Sequence, residues 1–364
     1  MGGAGRASAD AVGVTVVVPT VGRPSLHDLL AALLRDGAAE VAAQAAAPVA
    51  HGGPASEGAA ALAREAEILV VDDRRRADAP LPVPAALADR VKVLTGPGAG
   101  PAAARNVGWR AARHPWVVFL DDDVVPAPGW WRRLAVDLAG PPGVGGVQGR
   151  IRVPLPTDRR PTDWERVTAG LAHGRWLTAD MAYRRAALAA VGGFDERFPR
   201  AFREDAELAY RVRRAGWVLA VGGRVVTHPV RPESPWVSVR TQRGNADDAL
   251  LRRLYGPRWR ERLEVPPGRR RRHAAVTAAG LAALGAAAVA RRLPGARAVV
   301  AGAGAAWLLG TAEFAAARIR PGPRSIQEIA VMVATSVAIP PLACAYWLVG
   351  RWRARSAAPA ATRR

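Results

Sequence analysis

Four short apolar runs in this chain stop abruptly at turn or acidic residues: 14–19 (VTVVVP), 68–73 (ILVVDD), 91–95 (VKVLT) and 116–123 (WVVFLDDD). β-Branched runs of this length with polar stops read as buried strands. Helical patterns separate some of them. Residues 25–34 carry Leu26, Leu29, Leu30, Leu33 and Leu34, and 102–112 is a second such stretch. Alternating strand and helix predicts an α/β fold, a doubly wound sheet flanked by helices, with ligands at the carboxyl ends of the strands. The Ala/Gly-rich stretch 42–63 is low in complexity and reads as a surface excursion. A second region, about 143–232, contains GGFDERF and REDAELAYRVRRAG, the latter a helix with Leu208 and Val212 on one face and Gly216 as its stop.

Beyond residue 272 the composition changes. Residues 274–290, 298–312 and 329–350 are free of charge for seventeen, fifteen and twenty-two residues. About 20 apolar residues cross a bilayer, so the last run suffices and the first two are borderline. Of 52 basic residues only Lys92 is a lysine, and fifteen arginines fall in 269–364 against Glu313 and Glu328 alone. That interleaving of arginine with apolar runs points to anionic lipid rather than nucleic acid. Three spans would leave Arg351, Arg353 and Arg355 outside, against the positive-inside tendency, whereas a two-span hairpin keeps both ends cytoplasmic. One cysteine, Cys344, excludes an internal disulfide framework. The expected organisation is a disordered tail (1–12), an α/β domain (13–235, divided at 150), a basic amphipathic connector (236–272), two or three membrane helices (273–350) and a basic tail (351–364).

The chemistry should lie at the acidic strand ends. Asp121, Asp122 and Asp123 crowd together after a buried strand, and adjacent carboxylates need a cation or solvent to offset their repulsion. On an extended chain Asp121 and Asp123 would share a face, and such oxygens suit Mg²⁺ or Mn²⁺. Asp72 and Asp73 end another strand, where a carboxylate can accept from a base N–H or a ribose hydroxyl. Arg105 and Asn106 suit a diphosphate or sugar contact. Glu204 and Asp205 open a helix, either as dipole-favourable acids or as a general base. His228 is either a structural histidine or a third metal ligand. Trp130, Trp131, Trp164 and Trp176 either line a sugar cleft or pack in the core.

In combination, VVVPTVGRP, VVDD, GPAAARNVG, FLDDD, GGFDE and REDAELAYRVRRAG resemble a family 2 glycosyltransferase of GT-A fold over about residues 13–230. The resemblance implies inverting transfer of a hexosyl or related sugar from a nucleotide-diphosphate sugar to a hydroxyl acceptor, with a divalent cation. It implies that Pro19, Thr20 and Arg23 flank the nucleotide and that Asp72 or Asp73 meets the base. It places Arg105, Asn106, Asp121, Asp122, Trp176 and Asp180 at the nucleotide sugar or acceptor. Asp123, Asp121 and His228 would hold the metal, and Asp205, beside Glu204, would be the base. Asp180 stands where many members have Asn. With the apolar tail, the expectation is a multi-pass protein of the cell membrane with a cytoplasmic catalytic domain, acting on a cell-envelope glycan or lipid-linked acceptor.

Two other classes compete. The frame Gly98-x-Gly100-x-x-Ala103 after a strand matches a dinucleotide fingerprint, which predicts a Rossmann-type cofactor enzyme. An arginine-rich membrane or nucleic-acid binder would need no metal and would bind polyanions with a steep salt dependence.

Overall fold

The computed structural model describes residues 13–46 and 54–357. The tail 1–12, the centre of the 42–63 stretch and the last seven residues of the basic tail lie outside the described residues. The chain divides into two compact units, one of residues up to Pro154 with Leu171–Pro229, the other of Leu155–Gly170 with Val230–Arg364.

The first unit is built on one mixed sheet of β1 (Val14–Thr20), β2 (Glu67–Asp72), β3 (Val91–Thr95), β4 (Trp116–Leu120), β5 (Val125–Pro126), β6 (Val144–Arg152), β7 (Asp180–Arg184) and β8 (Val218–Thr227). The strand order is β3-β2-β1-β4-β7-β6-β8-β5. All four apolar runs are strands, and β1 to β4 are mutually parallel. The alternating side chains of β1, β2 and β4 feed two cores, whereas β3, expected to be buried, is the sheet's edge strand, with Lys92 and Val93 exposed. Val16, Val18, Ile68, Val70 and Val118 pack under one face with Leu26, Leu29 and Leu30. Val17, Leu69, Val117 and Phe119 pack under the other with Leu208 and Val212. A strand apolar at every position is stable only when covered on both sides, which is the arrangement found. This is the mixed α/β sheet flanked by helices that the sequence predicts.

Parallel pairing has a consequence for chemistry. Thr20 stands opposite Asp72, and Asp72 opposite Thr95. The carboxyl ends of β1, β2 and β4 therefore deliver Thr20, Asp72–Asp73 and Asp121–Asp123 to one edge. The 42–63 stretch departs from expectation: its described residues extend the helix Ser25–Ala46 and form the helix Pro54–Glu65, with Ala59, Ala60, Leu62 and Ala63 buried. Low complexity concealed an alanine-rich face that packs.

The second unit is helical. Arg270–Val289, Ala296–Ile319 and Ile326–Ser356 are each long and apolar enough to cross a membrane. The first two form an antiparallel hairpin, in which Gly280 faces Trp307, Gly310 faces Val276, and His273 and Phe314 meet edge to face. The third helix, Ile326–Arg353, runs differently. Arg318 donates to Thr335 Oγ1 at 2.7 Å and Ser336 Oγ at 3.1 Å, Cys344 Sγ lies 3.6 Å from Thr277 Oγ1, and Arg270 stacks on Trp347. Each contact lies at the hairpin's open end. Further along, Gly350 packs on the backbone of Ala246 in the helix Asn245–Tyr255. One face of the third helix is thus covered, while Ile326, Ile329, Val333, Val337, Leu348 and Trp352 remain exposed.

Candidate active site

Asp121, Asp122 and Asp123 follow β4 in a turn closed by the Val124 N–H to Asp121 carbonyl bond of 3.3 Å. The extended geometry expected from the sequence is absent, so the three carboxylates part company. Asp122 turns inward, accepting from Thr20 Oγ1 and from Arg23 Nη1 at 2.6 Å each. Its role is to tie β1 to β4. Pro19 is buried within β1, and the Thr20 hydroxyl donates to Asp122 and accepts from the Gly22 N–H at 2.9 Å. Arg23 remains half-exposed at the rim.

Asp121 and Asp123 face different partners. Asp121 Oδ1 accepts from Arg105 Nη2 at 2.7 Å, while Arg105 Nη1 donates to Glu204 Oε1 at 2.9 Å. Arg105, in the helix Pro101–Ala111, is 1% exposed and thereby clamps the end of β4 to the start of the helix Glu204–Arg214. Burial pushes the Glu204 carboxyl up to about 8, the adjacent Asp205 adds to this, and Arg105 opposes it. Glu204 Oε2 and Arg105 Nε are buried with no hydrogen-bond partner among the described residues. Burial likewise raises the partly exposed Asp205, against the Ala206 N–H, Arg105 and Arg203, with Asp121 raising it further. Arg203 precedes the pair in a left-handed conformation, φ 77°, which turns the chain sharply into the helix.

Asp123 meets His228. The antiparallel register Val125 with Thr227 brings the residues flanking β5 and β8 together, and His228 Nε2 lies 3.5 Å from Asp123 Oδ1. His228 Nδ1 is 3.1 Å from the Pro229 carbonyl. A proton on Nδ1, donated to that carbonyl, leaves the Nε2 lone pair toward Asp123, the usual arrangement for a metal-ligating histidine. One carboxylate and one imidazole would suit a borderline divalent cation, with ligands from elsewhere completing its shell. Among the described residues no three His, Cys, Asp or Glu side chains form a metal-holding cluster. Of the three residues expected at a metal, Asp123 and His228 meet directly, while Asp121 turns one carboxylate oxygen to Arg105 and leaves its side chain 30% exposed.

The remaining expectations divide. Asp72 is held by Arg74 through Nε at 2.8 Å and Nη2 at 2.7 Å, a fork that keeps its carboxyl below the usual range. Both residues line a cavity of about 550 Å³ together with Asp78, Leu81, Val83 and Val93. Asp73 accepts from the N–H groups of Gly98 at 2.7 Å and Gly100 at 2.8 Å. Amides held by a carboxylate cannot also cradle a pyrophosphate, which removes the dinucleotide-fingerprint reading. Asn106 is fully buried and bonds Phe194 through both its amide and carbonyl, so it anchors the GGFDE loop. Asp180 is 0% exposed and accepts from Arg224 Nε at 2.7 Å and Trp130 Nε1 at 3.0 Å, which ties β7 to β8 and the helix Trp130–Leu138. Trp130 and Trp131 pack edge to face in the core, and Trp176 is buried with φ 64°. Trp164 donates to the Arg231 carbonyl within the helical unit. The tryptophan cleft is therefore not formed by these side chains.

Arg74, Arg203 and Arg224 escaped the sequence reading. In a chain with 51 arginines and one lysine, an individual arginine carries little signal.

Residues 57–203 match the family model described as Glycosyl transferase family 2. The match falls within the segment in which the sequence motifs resemble that family. It contains β2 to β4, Arg105, the Asp121–Asp123 turn and Asp180, and ends beside Glu204. Two curated relatives, the pre-mycofactocin glycosyltransferases of two Mycobacterium tuberculosis strains, are 32% identical over 130 residues, or 32% of this chain. The chain spans 27% of the length of these curated relatives. Among solved structures, the mannosyltransferase PcManGT from Pyrobaculum calidifontis, in complex with GDP-Man and Mn²⁺, is 18% identical with a TM-score of 0.45, covering 93% of this chain and 87% of its own. S. aureus TarS 1–349 in complex with UDP is 16% identical with a TM-score of 0.41, covering 92% and 91%.

Proposed function

We propose that this protein is a membrane-attached, inverting glycosyltransferase that moves a sugar from a nucleotide-diphosphate sugar to a hydroxyl acceptor. The observation that carries the reading is Arg105, which bonds Asp121 and Glu204 at once and so unites two acidic motifs at one edge. Asp205 is the group to take the proton of the acceptor hydroxyl as it attacks the anomeric carbon, and its raised affinity for a proton suits a base. Glu204, anchored to Arg105, positions the turn that presents it. Asp123 and His228 would hold the divalent cation, which when bound offsets charge growing on the departing diphosphate. The cavity beside Asp72 and Arg74 is the place for the nucleotide base.

The tail supports attachment through two spans. The hairpin crosses, and the third helix lies along the interface with its covered face on the 237–255 segment and its exposed apolar face toward lipid. Both its ends then stay on the arginine-rich side, consistent with the positive-inside tendency. A catalytic domain tethered in this way meets acceptors at the membrane, such as a lipid-linked or cell-envelope glycan. The test is a donor screen with the purified full chain, scoring nucleotide diphosphate release with and without Mn²⁺ or Mg²⁺. Release that is metal-dependent, acceptor-stimulated and absent from Asp205→Asn is expected; equal release from that variant refutes the assignment.

A further inference from the structure

Within the helical unit, none of the lining residues of one cavity of about 540 Å³ belongs to the candidate active site. Arg252, Arg253, Arg270, Arg351 and Arg355 line it around Trp347. Three elements far apart in sequence converge here: the helix Asn245–Tyr255, the first turn of Arg270–Val289, and the end of Ile326–Arg353 with the turn that follows. No carboxylate lines the cavity, and among the described residues none of the five arginines is ion-paired. Elsewhere the chain matches its enclosed arginines with acids, as at Arg105, Arg224 and Arg318. Here five like charges gather around one cavity, four of them exposed and Arg270 half-buried, and an anion shared among them would relieve their mutual repulsion. The Arg270 guanidinium is stacked 4.5 Å above the buried Trp347 ring, which fixes its plane. Guanidinium forks held in this way bind phosphate oxygens through paired, charge-assisted hydrogen bonds.

The surroundings select among phosphates. From Arg270 the first apolar helix departs with no buried residue, and Leu281 and Leu284 are exposed along it. An anion seated among the arginines has an apolar surface beside it along which acyl chains can lie. A free phosphate would leave that surface unused. We propose that this five-arginine cavity is a binding site for the phosphate headgroup of an anionic phospholipid. The proposal rests on the membrane reading above. Occupation would bridge the connector helix to both ends of the membrane region and so fix the interfacial helix against the hairpin.

The test uses the full chain, purified in detergent and stripped of lipid. Phosphatidylglycerol is titrated in mixed micelles, with phosphatidylcholine, inorganic phosphate and glycerol 3-phosphate as separate arms, and melting temperature is read. The wild type should show a saturable rise with phosphatidylglycerol and none with phosphatidylcholine. The variants Arg270→Gln/Arg351→Gln and Arg252→Gln/Arg253→Gln should each need at least about tenfold more lipid, the loss expected if only one of the two removed guanidinium groups bonds the headgroup. Arg291→Gln/Arg292→Gln removes the same charge outside the cavity and should behave as wild type. Because Arg252 and Arg253 are exposed, that pair carries the test if the other melts early without lipid. Unchanged midpoints in the cavity variants, or an equal response to phosphatidylcholine, overturn the site. An inorganic phosphate midpoint equal to that of the lipid makes it a soluble-anion site and overturns the lipid source. Alkaline extraction of membranes separates the two readings: release of the chain refutes membrane attachment, whereas retention with unchanged midpoints refutes only the cavity.

Discussion

Replacing Arg105 by methionine is the sharpest perturbation of the clamp. The side chain is 1% exposed and holds Asp121 at 2.7 Å and Glu204 at 2.9 Å. Methionine keeps the volume and removes the charge, leaving Glu204 enclosed without its cation. Breaking a buried pair by removing one partner typically costs about 3–5 kcal/mol. For a unit of about 200 residues each kcal/mol lowers Tm by about 2–4 °C, so a fall of roughly 6–20 °C is expected. The loss should depend on pH. Glu204 is pushed up from 4.5 to about 8 even with Arg105 present, so the folded state binds a proton that the unfolded state has released. Stability from this group is therefore full below the unfolded value and is lost as pH rises from about 4.5 toward about 8. Without Arg105 the carboxyl rises further, and the penalty of the variant should be small near pH 5 and largest at pH 8 and above. Thermal melts of both proteins in detergent across that range read the difference. A variant melting with the wild type at pH 8, or a pH-independent loss, would show that Arg105 does not neutralise Glu204.

Asp205→Asn should reduce transfer by about a thousandfold or more while donor affinity, read by calorimetry, changes little, since general-base losses run to about 10²–10⁴. His228→Ala should weaken Mn²⁺ activation by at least tenfold, read as a shift in the metal concentration for half-maximal rate, whereas His228→Ala with unchanged metal dependence would remove it from the donor set. Gly100→Ala should lower Tm noticeably, because φ is 105° and an added Cβ would stand 2.3 Å from the Pro199 carbonyl oxygen. Strain of this kind costs about 1–3 kcal/mol. Asp180→Asn should destabilise the first unit through Arg224 without altering donor affinity, and a selective loss of donor binding would place Asp180 in the site.

The strands, their acidic ends and the Glu204 helix were legible in the sequence because each is a local pattern. An apolar run closing on carboxylates says where a strand stops, and parallel winding then says that the stops share an edge. The division of labour among those carboxylates was not legible. Asp122 and Asp180 are chemically equal to Asp123 and Asp205, yet the former pair serves Thr20, Arg23, Arg224 and Trp130. Partners lying 99 residues away, as Arg105 and Glu204 do, leave no trace in spacing. The tail shows the same separation. Length and hydropathy announce three helices able to cross a bilayer, whereas only packing distinguishes the hairpin from the third helix laid across its open end. Composition sets what a segment can bury; which neighbour it buries against is decided when the chain closes on itself.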